Sequence, residues 1–527
     1  GLQNHGYPFV SVESRARIDS LAHTVDLALS ITFGPRVRMG AIELDGLHSV
    51  KPSHVVRQFP TAPGDWYSRH DIDRGRDNLQ SVPLFSRSRV AFEDSLRDSS
   101  ASLRVTVAES RPRITNLEVG YVTDGAGVTA QIRWTHPNFT GGARSLDALG
   151  LAQTGWGSTT DQVDKLIRMS LPLSQPHVGS PNMSLSVGPA YEYRDNSVDR
   201  GTTWSGLATL VYRFNPLQSA ALRYEYIYRQ LDELRLVELS SDESANLTLL
   251  VFGSDALLDS LKEPEVIHEL TFFTSLGRLD NISRPRHGSI VKPNISVTLP
   301  FLNGDVDFAR ADLQFSTFFP FPGRANAFAV RGKVGGLWPT GASVPGPGQS
   351  AIVSWLSLRD QLFTAGGSSD VRGYANRMLG PKVPSIEANL VNGDTVLTSN
   401  NYVPVGGLRR VTASGELRLG LPKSPPNLAL HLFVDAGRVW TTDPHFQLAS
   451  MTPESERFFV TTGGGLGYYT PVGAIRLDIG YKLNPSVADL RDPQDVLNVV
   501  QAGQPASTAP VIWQRRYAIL ASLGLNF

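Results

Sequence analysis

The sequence predicts a mainly β protein: an antiparallel transmembrane β-barrel of about sixteen strands, preceded by small α+β modules. Three observations carry that reading. From residue 114 to the end, segments of roughly ten residues alternate apolar and polar side chains, with no convincing helical pattern among them. The connections are short after even segments and long after several odd ones, as in a barrel with one end of tight turns. No run of about 18 apolar residues could cross a membrane as a helix, so any crossing must be made by strands.

Composition bounds the alternatives. The 527 residues include no cysteine, which excludes disulfides and thiolate metal sites. Lys plus Arg is 49 and Asp plus Glu is 49, so no general attraction to nucleic acid is expected. The 48 glycines and 35 prolines suit many strands and turns.

Residues 1–35 read as the end of a small α+β module. Gly6-Tyr7-Pro8 has the composition of a helix exit, 9–19 and 24–33 read as strands, and Gly34-Pro35 closes the unit. The rest of that module, and a leader, are expected upstream of Gly1. Residues 36–112 read as a complete copy. Arg38, Gly40, Ile42 and Leu44 alternate with Met39, Ala41 and Glu43 before the Asp45-Gly46 turn. A short helix is expected over 53–58, with Pro52 in its first turn, and a second over 68–82, where Ile72, Leu79 and Val82 form a partial stripe. Strands are expected at 90–92 and 103–107. This β-α-α-β-β order, with Gly46, Gly64, Tyr67, Leu79 and Phe85 placed as they are, resembles a POTRA domain.

The barrel segments fall at 114–123, 128–137, 143–154, 164–174, 182–195, 203–214, 219–230 and 266–277, then 288–299, 306–319, 325–337, 409–421, 428–438, 460–470, 474–482 and 516–527. In the thirteenth, Leu428, Leu430, Leu432, Val434 and Ala436 oppose His431, Phe433, Asp435 and Gly437. In the fifteenth, Ile475, Leu477, Ile479 and Tyr481 oppose Arg476, Asp478, Gly480 and Lys482. A soluble sandwich also alternates. Arginine, glutamate and tyrosine at every second position suit a polar lumen better, and Trp156, Trp204, Trp338, Trp440 and Trp513 sit at strand ends on the long-loop side, where an aromatic girdle belongs.

The stretch Gly366-Gly367-Ser368-Ser369-Asp370-Val371-Arg372-Gly373-Tyr374 lies in a long irregular segment, about 338–408, and is too polar for a core strand. Taken alone, the tetrad Val371, Arg372, Gly373, Tyr374 could be a solvated turn. It resembles the signature loop of the outer-membrane β-barrel assembly superfamily, the BamA/TamA-like or bacterial surface antigen family. The likeness extends to Phe433-Val434-Asp435-Ala436-Gly437, to Gly465-Leu466-Gly467 with the 470–478 hairpin, and to Ser414-Gly415-Glu416-Leu417-Arg418. Thr470 and Ala474 depart from the commoner Ser and Pro.

The resemblance implies that the loop folds into the barrel, with Arg372 beside Asp435 and Glu416 and with Phe433 against the guanidinium. Periodicity independently puts both acids on the polar face of their strands. The implied function is assembly: inserting or exporting β-barrel clients through a seam between the first and last strands, near Gly120, Gly524 and the terminal aromatic Phe527. The implied partners are unfolded outer-membrane protein clients, the lipid bilayer, and periplasmic chaperones or accessory lipoproteins. The implied location is the outer membrane, with the POTRA modules in the periplasm. Two rivals remain, a two-partner-secretion-type transport pore and a passive porin or surface antigen. No enzyme is expected. The 11 histidines are scattered without ligand spacing, no nucleophile elbow appears, and Gly463-Gly464-Gly465-Leu466-Gly467 lacks the lysine and helix of a phosphate loop. No metal or cofactor is expected.

Overall fold

The computed structural model describes residues 2–524 apart from 20–23, 83, 93–99, 124, 158–163, 197–198, 216–217, 235–237, 240–248, 251–262, 282–283, 324–325, 346–350, 386, 392–393, 422–424, 426, 442–456 and 471–472. Phe527 lies outside the described residues. The chain divides into two compact units, one of residues 1–115 with the turns 134–147 and 173–185, the other of 116–133, 148–172 and 186–527.

Sixteen antiparallel strands form one closed sheet. The first eight are β1 (Ile114–Val122), β2 (Gly127–His136), β3 (Ser145–Gln153), β4 (Lys165–Ser170 and Leu173–Pro176), β5 (Met183–Asp195), β6 (Asp199–Asn215), β7 (Gln218–Leu234) and β8 (Glu265–Leu279). The second eight are β9 (Gly288–Thr298), β10 (Phe308–Pro320), β11 (Ala327–Pro339), β12 (Arg409–Gly420), β13 (Leu428–Trp440), β14 (Phe459–Thr470), β15 (Gly473–Lys482) and β16 (Tyr517–Gly524). Each expected segment coincides with a strand. β4, expected to be continuous, is broken at Leu171-Pro172. Pro172 has no N–H to give the ladder, and the broken backbone crosses Gly188, where an added Cβ would lie 2.4 Å from the Leu171 carbonyl oxygen.

Exposure on these strands is the reverse of a water-soluble sheet. On β13, Leu432 and Val434 are exposed while His431, Phe433 and Asp435 are buried. On β15, Ile475, Leu477 and Ile479 are exposed while Arg476 and Asp478 are buried. An apolar outer row over a polar interior is the pattern of a barrel facing hydrocarbon. Trp156, Trp204, Trp338 and Trp513 are exposed.

The long connections carry structure that alternation does not announce. Residues 340–408, expected to be irregular, contain the helix Ala351–Ser357 and the strand pair Lys382–Pro384 with Tyr402–Pro404. Their apolar side chains Trp355, Leu358, Phe363 and Val403 form one core with Ile267, Phe308 and Leu337 of the strands. The β15–β16 connection contains the helix Pro493–Gln501, although no helix was expected beyond residue 114. Its start is conventional, since Pro493 opens the first turn and the Asp492 carboxylate accepts the Gln494 N–H at 3.0 Å.

In the other unit, the strand Ser100–Glu109 runs parallel to Arg38–Asp45 and antiparallel to Phe85–Phe92. Helices Pro52–Val56 and Arg69–Ser81 cover the sheet, and Met39, Val55, Leu79, Leu103 and Val105 form the core. The strand Phe85–Phe92 is longer than expected because it lies at a sheet edge, where Ser86 and Arg87 face solvent and interrupt the apolar pattern. Ser11–Asp19 pairs with Thr24–Thr32 as a hairpin, with Val12, Val25, Leu27, Leu29 and Ile31 exposed. Glu109 clasps the turn before the first helix. Its carboxylate accepts the N–H groups of His48, Ser49 and Val50 at 2.8–2.9 Å and the Ser49 hydroxyl at 2.6 Å.

Candidate functional site

The loop between β11 and β12 brings Arg372 into the barrel, where its exposure is 0%. Glycines make this possible. Gly373 has φ +115°, a region side-chain-bearing residues avoid. Opposite it, an added Cβ on Gly480 of β15 would lie 2.6 Å from the Gly373 nitrogen, so the loop backbone rides directly on the strand. Gly437 of β13 opens similar space for Val371, whose methyl would lie 2.9 Å from an added Cβ. Val371 and Tyr374 then close a small apolar cluster with Ala365, Leu379, Val439 and Phe459.

Four of the five guanidinium N–H groups have acceptors among the described residues, and each nitrogen is engaged. Nε donates to Asp435 Oδ2 at 2.8 Å and Nη2 to Asp435 Oδ1 at 2.8 Å, a bidentate pair. The Arg372 main-chain N–H donates to the same Asp435 carboxylate at 2.9 Å. Nη2 also reaches Ser414 Oγ at 3.1 Å, and Nη1 pairs with Glu416 Oε2. The Phe433 ring centroid lies 3.6 Å from the guanidinium carbon. Asp435 and Glu416 are both 0% exposed, so this is an ion pair removed from water. Its attraction must offset a large desolvation cost, which it does by filling nearly every donor and acceptor position.

Glu416 holds more than one cation. Arg418 Nε donates to Oε1 at 2.7 Å and Arg476 Nη2 to Oε2 at 3.0 Å. Arg331 comes within 3.8 Å of Oε2. Arg476 also meets Asp478 at 3.3 Å. Sequence reading missed these extra arginines as partners, although Arg476 and Asp478 were legible as lumen-facing from alternation.

Two further attachments were not legible. Tyr374 donates its hydroxyl to Asp489 Oδ2 at 3.4 Å, and Asp489 pairs with Lys382, tying the loop to the β15–β16 connection. Burial acts to raise the Asp489 pKa, but Lys382 and Lys482 outweigh it and hold the carboxyl below its usual value. On the β5–β8 wall, Arg359 Nε donates to Asp199 at 3.0 Å, while Arg229 donates to Glu265 at 2.9 Å and to Asp360 at 2.6 Å. Arg194 pairs with Asp360 as well. Three arginines and three acids balance there, and Arg359 and Asp360 belong to the same loop as Arg372.

The seam residues are also brought together in part. Among the described residues β16 meets β1 at two ladder pairs, Ser522↔Val122 and Leu523↔Tyr121, continued by the Thr123 N–H donating to the Ala521 carbonyl at 3.1 Å and the Ala521 N–H donating to the Thr123 hydroxyl at 2.9 Å, whereas its ladder with β15 has eight pairs. An added Cβ on Gly120 would lie 3.1 Å from the Leu523 carbonyl oxygen, and Gly524 pairs with Ala474 of β15.

A family model, the Omp85 superfamily domain, matches residues 115–494. This chain belongs to the Omp85 superfamily. It is 21% identical over 484 residues to the outer membrane protein assembly factor BamA of Nitratidesulfovibrio vulgaris, covering 91% of this chain and 53% of that protein. The chain therefore spans about half the length of this relative. Among solved structures, BamA from Haemophilus ducreyi lacking POTRA domains 1-3 aligns with a TM-score of 0.68 at 18% identity, covering 99% of this chain and 91% of that one. CdiB from Acinetobacter baumannii aligns with a TM-score of 0.52 at 13% identity, covering 99% and 78%. At such identities the likeness is one of fold. The fold is that of the superfamily, a closed barrel of sixteen strands.

Proposed function

We propose that this Omp85 chain is an outer-membrane assembly factor that admits β-barrel clients at the seam between β1 and β16. The single observation that carries this reading is the sparse pairing at the seam, where β16 meets β1 at two ladder pairs among the described residues against eight with β15. A barrel in lipid must pair its backbone, so a sparsely paired joint is where an incoming strand could add at low cost. The buried Arg372 pair supports a second element, a loop latched inside the barrel. The module around Ser100–Glu109 is read as a POTRA domain on the periplasmic side, and its sheet edge would offer extended clients a similar template. The proposed partners are unfolded outer-membrane proteins, the bilayer, and chaperones or accessory lipoproteins.

The test uses the absence of native cysteine. Val122→Cys with Ser522→Cys places two thiols across the seam, at directly opposed positions. Oxidation should stop insertion of an unfolded barrel client into liposomes containing the protein, and reduction should restore it. Unchanged insertion when oxidised would rule out opening at this joint. A second reading, a protein transport pore, is favoured by the fold likeness to CdiB. It predicts client passage through the lumen that the seam disulfide leaves intact.

A further inference from the structure

A cavity of about 390 Å³ lies inside the barrel between the walls of β8–β12 and the inward loop. Its size falls in the range of small-ligand sites. Strand register lines up its cations. Lys292 of β9 stands opposite Gln314 of β10, which stands opposite Lys333 of β11, which stands opposite Thr412 of β12. On the adjacent rung, Ile290, Ser316, Arg331 and Ser414 follow one another in the same way. Ser369 and Asp370 of the loop line it too.

The charges in this cavity do not balance. Lys292, Arg331, Lys333 and Arg418 line it, with Asp370 as the single lining acid among the described residues. Asp370 already engages Lys333 at 3.1 Å and the Thr412 hydroxyl at 3.0 Å. Glu416, next to the cavity on β12, already accepts hydrogen bonds from Arg372, Arg418 and Arg476. Arg331 stands 3.8 Å from it and makes no hydrogen bond among the described residues. Lys292 has no ion pair or hydrogen bond among the described residues. Arg418 is 2% exposed, and its Nη2 has no acceptor among the described residues. Leu279, Ile290 and Phe318 supply an apolar side to the same cavity, with the Phe318 ring 5.4 Å from the Arg418 guanidinium carbon.

We propose that this cavity binds an amphipathic carboxylate, with the anion between Lys292 and Arg331 and an adjoining aromatic or branched apolar group against Leu279, Ile290 and Phe318. A carboxylate would give Arg331 the planar acceptor that Glu416 cannot. An apolar neighbour on the ligand would displace water from the Phe318 side. Because Asp370 shares Lys333 with the site and precedes the Val371–Tyr374 tetrad directly, occupancy would be sensed by the loop.

The test is a titration of the whole chain, folded in an uncharged detergent, with N-acetyl-4-fluorophenylalanine and its uncharged amide, followed by fluorine NMR. The acid should bind at least tenfold more tightly than the amide. Lys292→Gln and Arg331→Gln should each weaken the acid at least fivefold and leave the amide unchanged. Heat-modifiable gel migration reports that each variant is a folded barrel. If Arg331→Gln fails to fold, Lys292→Gln decides alone, since that side chain has no partner among the described residues to lose. Equal affinity for acid and amide, or an unaltered Lys292→Gln titration, would overturn the proposal. Inorganic phosphate competing as strongly as the acid would show that charge alone is read, and would overturn the amphipathic assignment.

Discussion

Asp435 holds Arg372 at three points, the Nε and Nη2 groups of the side chain and the main-chain N–H, all at 2.8–2.9 Å. The carboxylate thus fixes both the side chain and the backbone of the loop at one place. Arg372→Ala leaves Asp435 buried without its cation, a change of about 3–5 kcal/mol against the docked loop. Amide exchange in residues 366–374 should accelerate accordingly, while the barrel keeps its strand ladders. Arg372→Lys should fall between the two, because a point charge cannot replace the fork. Full protection of these amides in Arg372→Ala would contradict the assignment of Arg372 as the anchor.

Gly480→Ala tests the same docking without touching charge. The added methyl would meet the Gly373 nitrogen at 2.6 Å, so the loop must shift, at a cost of about 1–3 kcal/mol. Loop amides should lose protection as in the arginine variant. Gly206→Ala on β6 is the control, since nothing lies within 4 Å of its Cβ. Equal behaviour of the two alanines would contradict the close approach seen here.

Asp360→Asn should release the other end of the loop. Residues 351–363 should become accessible to protease while 366–374 stay protected. The Asp360 and Arg372 networks share no residue, so the double variant should add within about 0.5 kcal/mol. A strong departure from additivity in exchange data would mean that the two anchors act as one.

The Glu109 clasp gives a pH signature. Partial burial acts to raise this carboxyl, but the Ser49 hydroxyl and the N–H groups of His48, Val50 and Ser49 prevail and lower its pKa to about 2. A depressed folded pKa contributes stability above the ordinary carboxylate range, and that contribution is lost as pH falls toward 2. Amide protection at 48–50 should therefore be full at neutral pH and should decline between about pH 4.5 and 2. Glu109→Gln should abolish that decline and show weaker protection at neutral pH.

Much of this was legible in the sequence because barrel physics is periodic. Strands facing hydrocarbon on one side and a polar lumen on the other must alternate, so β13 and β15 could be read residue by residue. The Arg372 partners were legible for two reasons. Asp435 and Glu416 fell on the polar face, and the tetrad resembled a loop that turns inward. Attachments made by the loops themselves were not legible. Asp489, Lys382, Arg359 and Asp360 lie in segments with no period, and nothing local marks which distant charge each one meets. The short helices 351–357 and 493–501 were missed for a related reason, being held in place by contacts with the strands and loops around them rather than by an extended pattern of their own. The break in β4 was signalled by Pro172, yet the alternation on either side concealed it.

The two-ended attachment of the loop has a mechanical consequence. Its Arg359-Asp360 end is tied to β5–β8 and its Arg372 end to β12 and β13, so a single segment spans the interior like a strut. Deformation of the ring between those attachment points must stretch or break buried ion pairs. The sector running from β16 through β1 to the interrupted β4 is tied to the loop by a lighter contact, the Asn376 amide donating to Asp164 just before β4 at 3.2 Å, and it contains the sparsely paired seam and a proline break. The lighter attachment thus falls on five of the sixteen strands. If the barrel opens at the seam as proposed, the strain of opening would fall on these strands, while those joined by the strut would hold their curvature.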